Sequence, residues 1–173
     1  MILTGELVKL RAVEKSDLDL LYSWENDTDI WKVSNNVLPF SKDSINHFIE
    51  NERDIYLDKQ LRLIIVSLSG NKAVGCIDIF DYDMRNQRAG LGILIANSDD
   101  RRNGFAADAL EVVIRYSFST LLLHQLYCHI PSDNHSSIKL FERHGFACTG
   151  KQADWVRTED GWIDNFIYQL IRK

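Results

Sequence analysis

The stretch DDRRNGFAADAL, residues 99–110, joins an apolar segment, LGILIAN, to a segment with helical periodicity, EVVIRYSF. A connection between a strand and a helix needs only a turn and a helix cap. Paired arginines beside Gly104 at a helix start are also typical of an anion pocket, because unpaired N–H groups and the helix dipole favour negative charge there. The stretch lacks the lysine that ends a P-loop and the three glycines of a dinucleotide-binding turn. The residues alone leave a capped surface turn and an anion site open.

Strand-like patterns precede this stretch. Residues 62–68, 73–80 and 88–95 alternate or form short apolar runs, separated by the turns SGNK and DYDMRN. Connections this short indicate antiparallel neighbours. Residues 6–12 alternate as a further half-buried strand. Two helices are predicted between these strands, one capped by Ser16 with Asp19 three residues later, and one that begins near Ser41.

The pattern after the stretch indicates parallel neighbours. A helix to about Ser119 is followed by the strand QLYCHI, residues 125–130. Two strands joined by a long crossover run parallel, with a right-handed connection. A helix over 134–144, ended by Gly145, and a hairpin over 146–171 complete the chain. The sequence therefore predicts an α+β fold with a mixed, mostly antiparallel sheet and helices on both faces.

Composition predicts a single domain over residues 1–173. The chain is 45% hydrophobic and 26% charged, as in ordinary globular proteins. No run of about 18 apolar residues predicts a membrane span, and the N-terminus turns charged too early for a signal peptide. The odd, widely spaced cysteines, Cys76, Cys128 and Cys148, favour reduced thiols in a cytoplasm. No cysteine or histidine pair has finger-like spacing, so we expect no metal.

The net charge of −5 argues against nucleic acid as a partner, because that binding needs a basic face. Acids cluster early, at Glu25, Asp27 and Asp29 and again between Glu50 and Asp58. A solvated helix face accounts for such clusters, and so does a field that attracts amines. Both interpretations stay open.

Arg101-Arg102-Asn103-Gly104-Phe105-Ala106 resembles the R/Q-x-x-G-x-G/A motif of the GNAT superfamily of N-acetyltransferases. Residues 127–146, YCHIPSDNHSSIKLFERHGF, resemble that family's acetyl-CoA-binding half. Residues 8–27, VKLRAVEKSDLDLLYSWEND, resemble the opening of its ribosomal-protein alanine and bacterial spermidine branch, and residues 159–170 resemble the closing hairpin of the branch. Four motifs in the family's order cover nearly the whole chain, and they imply the GNAT fold.

The resemblance implies that acetyl-CoA lies between two strands that splay apart, one ending near Ile95 and one beginning near Gln125. The first strand would pair with the pantetheine arm, and the N–H groups from Arg102 to Ala107 would hold the pyrophosphate. A core strand and a helix cap account for some of the same residues. The implied cofactor-binding residues are Ile93, Leu94, Ile95, Arg101, Arg102, Asn103, Gly104, Phe105, Ala106, Ala107 and Asn134.

Two positions depart from the branch. Its diamine enzymes have a tyrosine, a proton donor to the departing thiolate, where Phe141 stands, and often a glutamate where Gly90 stands. A thiol with a pKa near ~8.5 needs only about 2 kcal/mol of assistance at neutral pH. Deprotonation costs ~4–5 kcal/mol for a polyamine with a pKa near ~10.4, but about 1 kcal/mol for an α-amine near ~8. The missing candidate base at position 90 therefore favours an α-amine acceptor, whereas the acidic surface favours a polyamine.

Family position also suggests residues for proton handling and for the acceptor. We take Ser137 and Asn134, which would lie near the thiol, as the candidate catalytic residues. Weaker candidates are Ser136, Asp78, Asp81, His129 and His135. The family builds its acceptor wall where this chain has Tyr22, Trp24 and Glu25, although aromatic residues at helical spacing also suit a core.

Together these patterns indicate an acetyl-CoA-dependent N-acetyltransferase. It would move the acetyl group directly to a primary amine, either a protein N-terminal α-amine or a polyamine or other small amine. The alternatives are a non-catalytic acyl-CoA-binding module of the same fold and an α+β scaffold without a ligand. Whether the chain forms a homo-oligomer stays open.

Overall fold

Seven strands form one sheet in the order β1-β2-β3-β4-β5-β7-β6 in the computed structural model, which describes residues 3–34, 36–51 and 54–173. All neighbours are antiparallel except the parallel pair β4–β5. The predicted mixed, mostly antiparallel sheet is confirmed. The strands are β1 Val8–Ala12, β2 Leu61–Ser67, β3 Ala73–Asp83, β4 Arg88–Ile95, β5 Gln125–Pro131, β6 Ala147–Thr158 and β7 Gly161–Ile171.

Helices cover both faces of the sheet, as expected. Side chains alternate across each strand, so Leu63 and Ile65 of β2 face one apolar cluster while Ile64 and Val66 face another. The helices are α1 Leu18–Glu25, α2 Thr28–Ser34, α3 Lys42–Asn51, α4 Ile55–Asp58, α5 Phe105–Ser119 and α6 His135–Arg143. Helices α5 and α6 pack on the first cluster, and α1, α2 and α3 on the second. No helix of the described ranges is long and apolar enough to cross a membrane.

The entry to α1 differs from the prediction. Ser16 lies inside a 3-10 turn, Lys15–Asp17, and does not cap the helix. The turn is closed by Asp17, whose Oδ2 accepts the N–H of Glu14 at 2.8 Å. The Asp17 carboxylate also accepts both terminal nitrogens of Arg11 at 2.7 Å. Asp17 is therefore the residue that fixes this corner, because a carboxylate can accept several donors at once.

The boundary between β3 and β4 also differs from the prediction. The sequence pattern predicts a turn from residue 81, but β3 continues to Asp83 through a bulge between Phe80 and Asp83. Asp81 has a left-handed φ of 48° there. A bulge inserts an unpaired residue and re-aims the neighbouring side chains. Asp81 is thereby brought beside Tyr127 of β5, whose hydroxyl donates to its carboxylate at 3.1 Å.

The parallel strands part soon after they meet. The ladder between β4 and β5 has three pairs, of which Gly90 with Tyr127 is the last. From there to Ile95, β4 is paired with β3 on its other side, and β5 is paired with β7. The two strands therefore open into a V, as the resemblance implied.

Candidate active site

A cleft of about 480 Å³ occupies the opening between β4 and β5. Gly92, Ile93 and Leu94 of β4 line one side of it, and residues of β5 and α6 line the other. Its remaining walls come from α1, α2, β2 and β3, so residues from several elements meet around one cavity. Among the lining residues are Glu25, Arg62, Asp78, His129, Asn134, Ser137 and Phe141.

Both candidate catalytic residues border this cleft. Asn134 is the N-cap of α6, where its Oδ1 accepts the N–H of Ser137 at 3.2 Å and the hydroxyl of Ser136 at 3.0 Å. Its Nδ2 and the Ser137 hydroxyl have no hydrogen-bond partner within the described residues. The cap therefore leaves one amide donor and one hydroxyl available to a ligand in the cleft.

The segment 101–107 follows the end of β4 and consists of the residues before α5 and the first turn of that helix; we call it the 101–107 loop. Arg101 anchors it, because the guanidinium donates to the carbonyl oxygens of Ile95 and Ala96 at 3.3 and 3.4 Å. Arg102 and Gly104 have left-handed φ values of 63° and 83°, a conformation that is uncommon away from glycine. Gly104 is the N-cap of α5, and Asn103 Nδ2 donates to the carbonyl of Asp99 at 3.0 Å.

This loop concentrates unsatisfied donors. Within the described residues, none of the backbone N–H groups from Arg102 to Ala107 has an acceptor, and the first helical bond of α5 runs from Asp108 N to Gly104 O at 3.0 Å. Unpaired N–H groups at a helix start favour an anion. The predicted anion-binding residues Phe105, Ala106 and Ala107 thus form the first turn of a 15-residue helix.

Three charged side chains meet on the wall of the cleft that α1, β2 and β3 form. Arg62 of β2 donates to Asp78 of β3 through Nε at 2.8 Å and Nη2 at 2.9 Å, and its Nη1 donates to Glu25 at the end of α1. Burial opposes the charge of Arg62, but the two carboxylates outweigh it and raise the pKa of the guanidinium. The cluster carries a formal net charge of −1. Sequence reasoning named both acids but missed Arg62, although a lone charge inside the apolar run LRLIIVS was the available signal.

The expected aromatic acceptor wall is not formed by α1. Trp24 is 6% exposed and packs in the core between α1 and α3. Tyr22 faces outward, with Nζ of Lys42 5.5 Å from its ring centroid. Of the three predicted acceptor residues, Glu25 lines the cleft. Successive helical residues are turned by about 100°, so neighbours in the sequence cannot all face one cavity.

The remaining proton-handling candidates separate into two groups. His129 is exposed on β5 and borders both the cleft and a second cavity of about 500 Å³. Asp81 lines that second cavity beside Tyr127, and burial together with Asp81 raises the pKa of Tyr127 to about 12. His135, at the exposed start of α6, does not line either cavity.

The two departures from the resembled branch have structural counterparts. Phe141 is 3% exposed and packs edge-on against Phe146, with ring centroids 5.0 Å apart, while one side of it borders the cleft. Gly90 lies beneath the ring of Phe80. Both positions are therefore occupied by aromatic packing in this chain.

The profile of the acetyltransferase (GNAT) domain matches residues 8–147. With the splayed parallel pair, the cleft and the donor-rich loop, this match defines the class: the chain belongs to the GNAT family of acetyltransferases. The chain is 26% identical over 170 residues to the uncharacterized N-acetyltransferase p20 of Bacillus licheniformis, covering 97% of this chain and 94% of p20.

Spermidine acetyltransferases are also among its relatives. The chain is 25% identical over 148 residues to the spermidine N(1)-acetyltransferase of Escherichia coli (strain K12), covering 83% of this chain and 75% of that protein. The Vibrio cholerae spermidine N-acetyltransferase, solved in complex with CoA and spermine, superposes with a TM-score of 0.86 at 21% identity and covers 95% of both chains. The GNAT fold and the resemblance to the spermidine branch are thereby confirmed.

Proposed function

We propose that this acetyltransferase moves an acetyl group from acetyl-CoA directly to a primary amine. The observation that carries the proposal is the early end of the β4–β5 ladder, after three pairs, which opens a cleft beside a loop of unsatisfied N–H donors. One end of the cleft suits an extended amide-bearing chain and the other suits a cation. The E. coli and Vibrio relatives, which are spermidine acetyltransferases, support this assignment.

The pantetheine arm of acetyl-CoA fits the open edge of β4. In the part of the chain that the structure describes, the backbone groups of β4 that point toward β5 have no ladder partner beyond Gly90, and such an edge pairs with an extended amide chain. Ile93, Leu94 and Ile95 are the strand residues that would flank this arm, and the free Nδ2 of Asn134 would meet it from α6.

The pyrophosphate fits the loop at the start of α5. The N–H groups from Arg102 to Ala107 would donate to its oxygens, and the helix dipole adds to their attraction. Arg102 would add a charge-assisted bond, while Arg101 holds the loop against Ile95 and Ala96. Gly104 has no side chain that could block the phosphate oxygens, and glycine adopts the left-handed φ of 83° found here without steric cost.

On the other side of the cleft, Glu25 and Asp78 would attract and orient the ammonium group of the acceptor. Acetyl-CoA supplies a thioester that an amine can attack without a covalent enzyme intermediate. The chain then contributes proximity, by holding both reactants in one cleft, and N–H donors along β4 for the charge that develops during attack. Ser137, whose hydroxyl has no partner within the described residues, would hydrogen-bond near the sulfur.

The acceptor class is proposed at the level of a primary amine. The named relatives favour a polyamine, as does the net negative cluster around Arg62. The position of Gly90 favours a less basic amine, such as a protein N-terminal α-amine, because it removes one candidate base. Both classes belong in the first substrate panel.

Three further properties complete the proposal. We propose that residues 1–173 form one domain, and that it works in the cytoplasm, where Cys128 and the exposed Cys148 would stay reduced. We also propose a homo-oligomer, since the related Vibrio enzyme has a dodecameric structure at a TM-score of 0.79. Sedimentation of the full chain tests the last point directly.

Two measurements test the proposed function. Acetyl-CoA should raise the melting temperature, because a ligand that binds only the native state stabilises it. Free CoA should then appear when amines are added, at a rate above the amine-free hydrolysis control. Binding without amine-dependent release would instead indicate a non-catalytic acyl-CoA-binding module. A melting temperature that does not change at millimolar acetyl-CoA would contradict the proposal altogether.

A further inference from the structure

His129 stands where the two parallel strands first part. Tyr127 is the last residue of β5 paired with β4, opposite Gly90. Two residues further along each strand, on the same face of the sheet, lie His129 and Gly92. Both line the cleft, and Gly92 presents no side chain to fill the space in front of His129. The imidazole therefore reaches the apex of the V, where the acetyl end of a bound thioester would lie.

The ring of His129 is held in one orientation. Its Nδ1 lies 3.1 Å from Nδ2 of Asn165, a residue that is 3% exposed on β7. The same Nδ2 donates to Oε1 of Gln152 on β6 at 2.7 Å. On the other side, the ring of Tyr127 packs edge-on against the imidazole, with centroids 5.7 Å apart and planes at 89°.

The orientation of the Asn165 amide, with Nδ2 facing both Nδ1 of His129 and Oε1 of Gln152, assigns the proton of the neutral ring to one nitrogen. An amide NH₂ group only donates, so Nδ1 of His129 accepts from Asn165 and is unprotonated in the neutral ring. The single N–H of the neutral imidazole is then at Nε2. This nitrogen has no hydrogen-bond partner within the described residues. His129 is accordingly presented to the cleft as a hydrogen-bond donor and not as a base.

We propose that His129 is a catalytic residue whose Nε2–H donates a hydrogen bond to the thioester. This bond stabilises the negative charge, which lies on the carbonyl oxygen during the attack and on the sulfur once the C–S bond breaks. This inference rests on the proposed acetyl transfer. In that reaction the amine nitrogen forms a bond to the carbonyl carbon, and the C–S bond breaks. The sulfur leaves with the electron pair as a thiolate, the extra amine proton goes to water, and His129 keeps its own proton throughout.

A hydrogen-bond donor at this position would compensate for the tyrosine that the resembled branch has where Phe141 stands. A preoriented donor lowers the barrier without any proton transfer, because it needs no reorganisation when the charge develops. A neutral imidazole can serve as such an electrophile, because its single N–H polarises a carbonyl while the ring stays uncharged. Asn165 is then a positioning residue, because it acts only through His129.

Two substitutions of His129 separate a donor from a base. His129→Leu removes both nitrogens and should lower kcat about 10²-fold, the effect typical of losing one such donor, with KM values changed less than about threefold. His129→Gln restores an N–H donor that cannot titrate, and should recover kcat to within about tenfold of the unmodified protein. His124→Leu, which removes an exposed histidine that lines neither cavity, is the matched control and should leave kcat unchanged.

The other outcomes overturn the inference. Equal losses in His129→Leu and His129→Gln would mean that residue 129 transfers a proton, and unchanged kcat in both would mean that it has no role in the reaction. Acetyl-CoA affinity and melting temperature are measured for each variant, so that a folding defect is seen separately. If the unmodified protein itself binds no acetyl-CoA or releases none as CoA, it is the proposed function that fails.

Discussion

The ring of Phe80 lies directly over Gly90. The two residues are cross-strand partners on β3 and β4, and a Cβ at position 90 would come within 2.3 Å of Cε2 of the ring. Phe80 in turn packs edge-on against Tyr127, with centroids 6.1 Å apart. A glutamate, which the resembled diamine enzymes often carry here, would therefore need the ring of Phe80 to move.

Adding a methyl group at position 90 should destabilise the fold. Gly90→Ala should cost about 1–3 kcal/mol of unfolding free energy, the usual effect of overpacking, as measured by urea denaturation. Gly92→Ala is the matched control, because its Cβ would lie at an ordinary 3.7 Å from the same ring. Phe80→Ala should make Gly90→Ala nearly harmless, since contacting residues are not additive. Additive effects of the two substitutions would contradict this packing relationship.

Gly104→Asp should weaken acetyl-CoA binding severely, by at least about tenfold, because it places a carboxylate among the donors proposed for the pyrophosphate. The substitution should also cost some stability, because the left-handed φ of 83° disfavours a side chain and the new Cβ would meet Cδ1 of Leu7 at 2.9 Å, so the melting temperature is measured beside the affinity. Gly161→Asp is the control, because Gly161 also has a positive φ, of 132°, but lies at the turn of the last hairpin with nothing within 4 Å. Calorimetric titration compares the two, and affinity retained within about twofold in Gly104→Asp would make the loop a simple turn.

The paired arginines should contribute less than Gly104. Arg101→Ala and Arg102→Ala are each expected to weaken acetyl-CoA binding moderately, and the effect should shrink at high salt because exposed charges are screened. Arg101→Ala should also lower the melting temperature slightly, since it removes the bonds to Ile95 and Ala96. Titrations at low and high ionic strength measure both effects. A loss that is independent of salt would point to altered loop geometry.

Arg62 should be needed for stability as well as for the acceptor side of the cleft. Arg62→Met would leave Glu25 and Asp78 facing each other, and should cost about 2–3 kcal/mol, less than the ~3–5 kcal/mol typical of a fully buried pair. The discount reflects side chains that are 21–29% exposed. Lys42→Met, which removes an exposed pair with Asp19, should change stability little. Equal effects of the two substitutions in urea denaturation would contradict the assigned role of Arg62.

Phe141→Tyr would place a hydroxyl at the edge of the cleft. With a weakly basic acceptor, kcat should rise, but by no more than about 30-fold, because thiolate protonation is worth only ~2 kcal/mol at neutral pH. A polyamine should show little change, since its deprotonation would limit the rate. Phe146→Tyr, its edge-on neighbour that does not line the cleft, is the control. Loss of activity with every acceptor would make position 141 a packing position alone.

Asp17 should contribute to stability above about pH 4. Its hydrogen bonds from Arg11, opposed by burial, lower the pKa of the carboxyl in the folded protein. A group whose folded pKa lies below its unfolded value, near ~3.9, stabilises above that value and loses this contribution as the pH falls through the folded pKa. Asp17→Asn should therefore be less stable near neutral pH and lose less stability on acidification. Urea denaturation from about pH 6 to about pH 2 measures both slopes, and identical slopes would contradict the role of Asp17.

Local sequence patterns were enough for most of the fold. Alternation and short turns indicated the antiparallel strands, and a long helical crossover indicated the parallel β4–β5 pair, because these signals depend on residues close together in the chain. The RRNGFA stretch likewise indicated its own conformation, since a helix start with a glycine cap is a local event. The local patterns gave wrong predictions at Ser16 and Asp81. The structures that formed there, a turn closed by Asp17 and a β-bulge, also involve only residues close together in the chain.

The arrangement of the functional side chains depended on long-range packing. Glu25, Arg62 and Asp78 come from three elements, and only the docking of α1 on the sheet brings their charges together. Trp24 and Glu25 point about 100° apart around α1, so Trp24 is buried while Glu25 lines the cleft. Composition does not determine which of the two faces the cleft. The tautomer of His129 depends on Asn165, 36 positions away. Periodicity was sufficient for the backbone because it is a local property, whereas partners across strands and helices are fixed only by register and packing.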